Sequence, residues 1–351
     1  MRTSKILDRM FATAIFLALF ATSCGPTSTP RFPQLNERQI SNIGSFHGPA
    51  RWSPDGHYLA YQGGNSTEIV IQDVTTGQSW TVGKHVPDPD GPIDDFAWSP
   101  LGRISYLKWR YAPGGTSLDG VEELHIADVD GQNDTIIVDN LPFGVDYLWF
   151  PDGQKLIMRW AAKSSNYPID DVYIVDSKTR QHEALVSHED LNLGIVSMAL
   201  LADDNILLLD GIRELKDGRA SYFVLYDLLQ KRVIQEIHLD PLFASGRLPN
   251  YPDLRPSIGD FSLNYVRPGK DRWIIGDFWA PAGDCYNYAI YFFNLDDVSR
   301  NFCIPSKEGP TGAISVSPVG DRIAYTPTNG PGYNWVMVAE LTPEIQHQLK
   351  H

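Results

Sequence analysis

The 351-residue chain has little cysteine: three residues, Cys24, Cys285 and Cys303. That is too few for a disulfide scaffold or a clustered thiolate site. Cationic charge is also scarce. Lys and Arg number 29 against 43 Asp and Glu, for a formal charge of −14, and −16 remains when residues 1–23 are set aside. No basic stripe interrupts this balance, so nucleic acid and anionic lipid headgroups are excluded as partners. The apolar run at residues 10–21 is too short to span a bilayer comfortably. Gly-x-Ser-x-Gly does not occur, and no residues are left over for the α/β region that such a nucleophile elbow needs. With 42% hydrophobic residues the chain can still bury a full core.

What the chain does contain is a short sentence written six times. Trp52-Ser53-Pro54-Asp55-Gly56 precedes Tyr58-Leu59-Ala60-Tyr61, and Trp98-Ser99-Pro100-Leu101-Gly102 precedes Ile104-Ser105-Tyr106. Trp149-Phe150-Pro151-Asp152-Gly153 and Val316-Ser317-Pro318-Val319-Gly320 repeat it, and worn copies begin at Leu201 and Val266. Regular self-similarity means stacked units that share one core. After each turn come short apolar runs separated by hairpin signals such as Thr75-Thr76-Gly77. Each unit therefore reads as four strands, one propeller blade. The last copy lacks its fourth strand, and residues 38–43 are the expected donor. The predicted fold is all-β: a six-bladed β-propeller over residues 38–341, its last blade closed by an N-terminal strand and followed by a tail at 342–351. Such closure removes an exposed sheet edge.

The Ser-Pro-Asp-Gly turn followed by a Leu-Ala-Tyr-like strand resembles the WD40-like repeats of TolB-type propellers. The resemblance covers residues 38–341 and implies protein or glycan binding in the cell envelope. It does not extend to the extra N-terminal domain of TolB, nor imply membership of the Tol-Pal system.

Arg2, Lys5 and Arg9 before the apolar run, and Ala21-Thr22-Ser23 before Cys24, have the flanks of a secretory signal. The ending resembles a bacterial lipobox. Residues 1–23 are expected to be cleaved, and Cys24 to carry lipid at the head of a tether, residues 24–37, that holds the propeller at the envelope. An oxidising compartment makes a bridge between Cys285 and Cys303 plausible, although the hairpin should place Cys303 opposite Tyr291 or Phe292 rather than Cys285.

Antiparallel strands put the loops joining one blade to the next, and those joining second to third strands, on one face. That face is aromatic: Trp109 and Tyr111 in blade two, Trp160 and Tyr167 in three, Trp279 and Tyr286 in five, Tyr333 and Trp335 in six. Aromatic anchors on a scaffold suit a protein contact or stacking on sugar rings, although such rings also pack between blades. His47, Asp94, Asp95, Asp146 and Asp260 should ring the channel mouth, where carboxylates hold a cation or a basic side chain, or simply cap strands. The reading is a monomeric, non-catalytic binding module with no cofactor or resident metal, facing an envelope protein or glycan. The rival is a propeller enzyme acting on acidic glycans through a metal held by His47, His85 and His188.

Overall fold

The computed structural model describes residues 35–42, 50–63, 66–83, 90–111, 120–142, 144–161, 170–201, 205–216, 218–239, 264–266, 270–278, 289–305, 311–327 and 335–350. Six four-stranded antiparallel sheets succeed one another along the chain. Blade one is Arg51–Trp52, Tyr58–Gly63, Glu68–Asp73 and Ser79–Val82. Blade two is Asp90–Trp98, Ile104–Arg110, Val121–Ala127 and Thr135–Leu141. Blade three is Asp146–Trp149, Lys155–Ala161, Asp170–Asp176 and His182–Val186. Blade four is Gly194–Leu201, Ile206–Leu215, Gly218–Asp227 and Arg232–His238. Blade five is Asn264–Val266, Trp273–Phe278, Ala289–Asn294 and Phe302–Pro305. Blade six takes three strands from the end of the chain, Thr311–Val316, Arg322–Pro327 and Trp335–Glu340, and its outermost from the start, Asn36–Asn42. That strand pairs antiparallel with Trp335–Glu340, from Asn36 opposite Glu340 to Asn42 opposite Trp335. The first strand of each blade touches the first strands of the blades on either side, from one through six and back to one, which closes the ring.

The repeated turn is explained by its hydrogen bonds. In blade one the Ser53 amide donates to the Tyr58 carbonyl at 2.9 Å, the Tyr58 amide to Ser53 Oγ at 2.9 Å, and the Gly56 amide to the Ser53 carbonyl at 2.9 Å. Proline presets the turn, and the last position has φ of +71° at Gly56, +78° at Gly102, +64° at Gly153 and +70° at Gly320, where a side chain is strained. A second signature ends the third strands: Asp73, Asp176, Asp227 and Asn294 each accept two amides from the turn that follows.

The core lies between blades. Ala60, Ile69 and Ile71 of blade one meet Phe96, Ile104 and Tyr106 of blade two, and equivalent clusters join two to three, three to four, four to five and six to one. Each blade thus buries a face that it has no means of covering alone. Residues 343–350, expected only as a tail, form a helix, Pro343–Lys350, that buries Ile345 and Leu349.

Candidate functional site

The inner strands begin at one end of the channel, in a polar belt that crosses from blade to blade. Gln62 of blade one donates to the carbonyls of Ile93 and Asp94 at 2.9 and 3.0 Å. Arg51 Nη2 of blade one meets Asp95 Oδ1 of blade two at 3.0 Å. Glu122 of blade two accepts from the amides of Gly144 and Val145 at 3.3 and 3.4 Å, and shares a hydrogen bond with Asp94. Arg159 of blade three lies 3.7 Å from Asp146 and donates to the Ile195 carbonyl of blade four at 3.1 Å. Side chains of blades one to three thus hold the start of the next blade's inner strand.

Burial and neighbouring negative charge set the protonation of this belt. Desolvation, then the Asp94 charge, push the Glu122 carboxyl up to about 8. Desolvation, then Asp95, raise Asp94. Asp146 is pushed up to about 6 by desolvation, with Arg159 opposing. Burial works against the charge of Arg51, but Asp95, Tyr147 and Asp146 outweigh it.

Towards the other end the channel holds a cavity of about 490 Å³. Its wall is built from one repeat position, Trp52, Trp98 and Trp149, and from the prolines two residues later in blades one, two, three and six. Arg51 is its cationic lining residue. The Trp98 indole donates to the Arg51 carbonyl at 3.0 Å and that of Trp149 to Ser105 Oγ at 2.8 Å. The Trp52 indole nitrogen and Arg51 Nε are buried and make no hydrogen bond to the described residues.

The sequence-predicted residues divide into groups. Asp94, Asp95 and Asp146 do gather at the channel, but Asp95 and Asp146 face arginines and Asp94 faces a carboxyl group. Trp109 is 5% exposed, its ring edge-on to Tyr111 at 6.4 Å, and a Cβ on Gly120 would come within 2.5 Å of its indole. Tyr111 is exposed at 36%. Trp160 stacks on Tyr173 at 3.9 Å, and Trp335 is half-buried. His188 opens the short helix His188–Leu191 and its Nδ1 lies 3.1 Å from Asp171. Blade four departs from the long-loop pattern: its middle strands pair as far as Leu215 opposite Gly218, a tight hairpin. Cys303 sits opposite Tyr291, as the hairpin predicts, and is disulfide-bonded. Its partner cysteine lies outside the described residues, as do Cys24, Cys285, His47, His85, Tyr167, Asp260, Trp279, Tyr286 and Tyr333. Sequence reasoning missed Gln62, Arg51, Glu122 and Arg159. The signal available for Glu122 was an acidic residue inside a strand of otherwise core-forming pattern, Val121–Ala127.

No family model and no curated protein sequence matches this chain. Solved structures do. An oligogalacturonate lyase in complex with manganese aligns at 13% identity over 84% of this chain and 77% of its own, with a TM-score of 0.53. A luciferin-regenerating enzyme aligns at 12% identity over 88% of this chain and 96% of its own, TM-score 0.55. TolB from Acinetobacter baumannii aligns at 16% identity over 83% of this chain and 62% of its own, TM-score 0.48. Six closed four-stranded blades, with the lyase and the luciferin-regenerating enzyme as structural neighbours, establish the chain as a six-bladed β-propeller, the fold that its repeats predict.

Proposed function

We propose that this chain is an exported propeller, anchored by lipid on Cys24, that binds a cell-envelope protein or glycan without catalysing a reaction on it. The observation that supports this reading is the bracing of the channel. Asp95 and Asp146 are matched to Arg51 and Arg159, and Glu122 clamps blade two to blade three. Groups committed in this way serve rigidity and leave a recess of ligand-binding size in a preformed wall.

Crosslinking in intact cells with a tagged full-length chain, followed by mass spectrometry, tests it. One envelope partner should be enriched, and Cys24→Ser should release the chain from the membrane fraction. On the loop face the exposed Tyr111 is the residue to change together with Trp279, because Trp109 is buried. The second reading is a glycan-active enzyme, and the likeness to a lyase crystallised with manganese favours it. Changing His47, His85 and His188 together should leave a binder unaffected. If instead that variant lost a polysaccharide-cleaving activity shown by the parent chain, the binding reading would fall.

A further inference from the structure

The turns joining first to second strands, and third to fourth, lie at the end of the ring opposite the long loops. Four large apolar side chains stand out of them. Leu101 and Val319, 69% and 71% exposed, follow the first strands of blades two and six. Leu229 and Val298, 78% and 39% exposed, follow the third strands of blades four and five. The turns themselves do not require these residues. Blades one and three have Asp55 and Asp152 where two and six have Leu101 and Val319. The amide that Leu229 donates to Asp227 is donated in blades one, three and five by Thr75, Lys178 and Asp296. Leu101 leans on the turn of blade three, where a Cβ on Gly153 would come within 2.8 Å of it, yet most of its surface stays in water. One such residue would call for no explanation. Four on different blades of one face fit a flat partner, which touches separated points of a ring together. Charges among these tips are paired: Arg103 with Asp128 at 2.8 Å, Lys231 with Glu183 at 3.6 Å, Arg272 with Asp296 at 2.6 Å and Arg322 with Asp321 at 3.3 Å. Paired charges oppose approach to a low-dielectric boundary less than isolated ones.

The chain also enters the propeller on this side. Asn36 lies opposite Glu340, and Glu340 opposite Arg322, two residues beyond Gly320 of the Val319 turn. Eleven residues separate Asn36 from Cys24, a reach of at most about 40 Å. Turning the loop face to the anchoring membrane would use more than half of that reach, about 23 Å, in running back along the seven-residue strand Asn36–Asn42.

We propose that the turn face lies against the bilayer, with Leu101, Leu229, Val298 and Val319 entering the boundary between the headgroups and acyl chains of zwitterionic lipid. This rests on the lipid anchor at Cys24 and adds which way the ring faces. The anchor makes the contact intramolecular, so modest apolar tips suffice where they would not hold a free protein. A net charge of −14 fits zwitterionic rather than anionic headgroups. The prolines of the recess wall belong to these turns, so the recess lies on the membrane side and a protein partner meets the loop face with Tyr111.

The test uses the lipidated full-length chain, purified in detergent and reconstituted in phosphatidylcholine vesicles. A fraction of the lipid carries a photoactivatable diazirine on its acyl chain near the glycerol, and adducts are mapped by mass spectrometry after illumination. Peptides containing Leu101, Leu229, Val298 and Val319 should collect at least fivefold more adduct than those containing Tyr111 and Leu215. Leu101→Ser, Leu229→Ser, Val298→Ser and Val319→Ser combined should lower turn-face labelling at least fivefold with circular dichroism unchanged. Should that combination disturb folding, Leu229→Ser with Val319→Ser should lower labelling of their own peptides at least twofold. Equal labelling of the two faces, stronger labelling of the loop face, or unchanged labelling of folded variants overturns the proposal while the anchor stands. A chain that carries no lipid and washes off the vesicles overturns both.

Discussion

Glu122 keeps its proton in the folded chain to about pH 8, whereas an unconstrained glutamic acid releases it near 4.5. Between these values the unfolded state binds fewer protons, so this residue costs stability progressively as pH rises from about 4.5 to 8 and no further above that. Below 4.5 both states are protonated and the cost vanishes. Glu122→Gln keeps one of the two oxygens that accept from the Gly144 and Val145 amides, removes the titrating carboxyl and offers Asp94 a permanent donor. It should raise stability by on the order of 1–2 kcal/mol at pH 8.5 and by almost nothing at pH 4. Thermal unfolding at the two pH values checks this, and an equal effect at both would place the retained proton elsewhere. Asp146 works in the same sense over a lower window, up to about 6.

At the scale of elements, the helix Pro343–Lys350 shows how a polar-looking tail becomes part of the body. Pro343 opens it, where a missing N–H costs nothing, and Thr342 Oγ1 accepts from the Ile345 amide at 3.4 Å. Arg300 of blade five donates to the Gln348 carbonyl at 2.8 Å, near the helix end. Ile345 and Leu349, one turn apart, are 0% and 1% exposed. Leu349→Ala should therefore destabilise the chain by about 2–4 kcal/mol, read as a lower midpoint in urea. A midpoint within error of the parent would mean that the helix is only loosely applied.

For the whole molecule, the decisive feature is that blade six is assembled from both ends of the chain. Internal deletion of residues 36–42 would leave the edge of Trp335–Glu340 unpaired and strip Ile40 from the interface between blades six and one. The expected result is a loss of more than about 2 kcal/mol, together with oligomers on size-exclusion chromatography, because an open edge templates pairing with other chains. A monomer of unchanged stability would show that the ring does not depend on its closing strand.

The blade count, the turn positions, the donor strand and the placing of Cys303 opposite Tyr291 were all legible in the sequence. Turn chemistry and alternation are local, and a repeat states them six times. The pairing of Asp95 with Arg51, 44 residues apart, was not legible. Neither was the sharing of a proton by Asp94 and Glu122, nor the burial of Trp109 beside an exposed Tyr111. Each depends on how one blade leans on the next, and no periodicity records that. Local hydrogen bonding wrote the blades into the sequence, whereas the long-range packing that closes the ring decided which charges face one another.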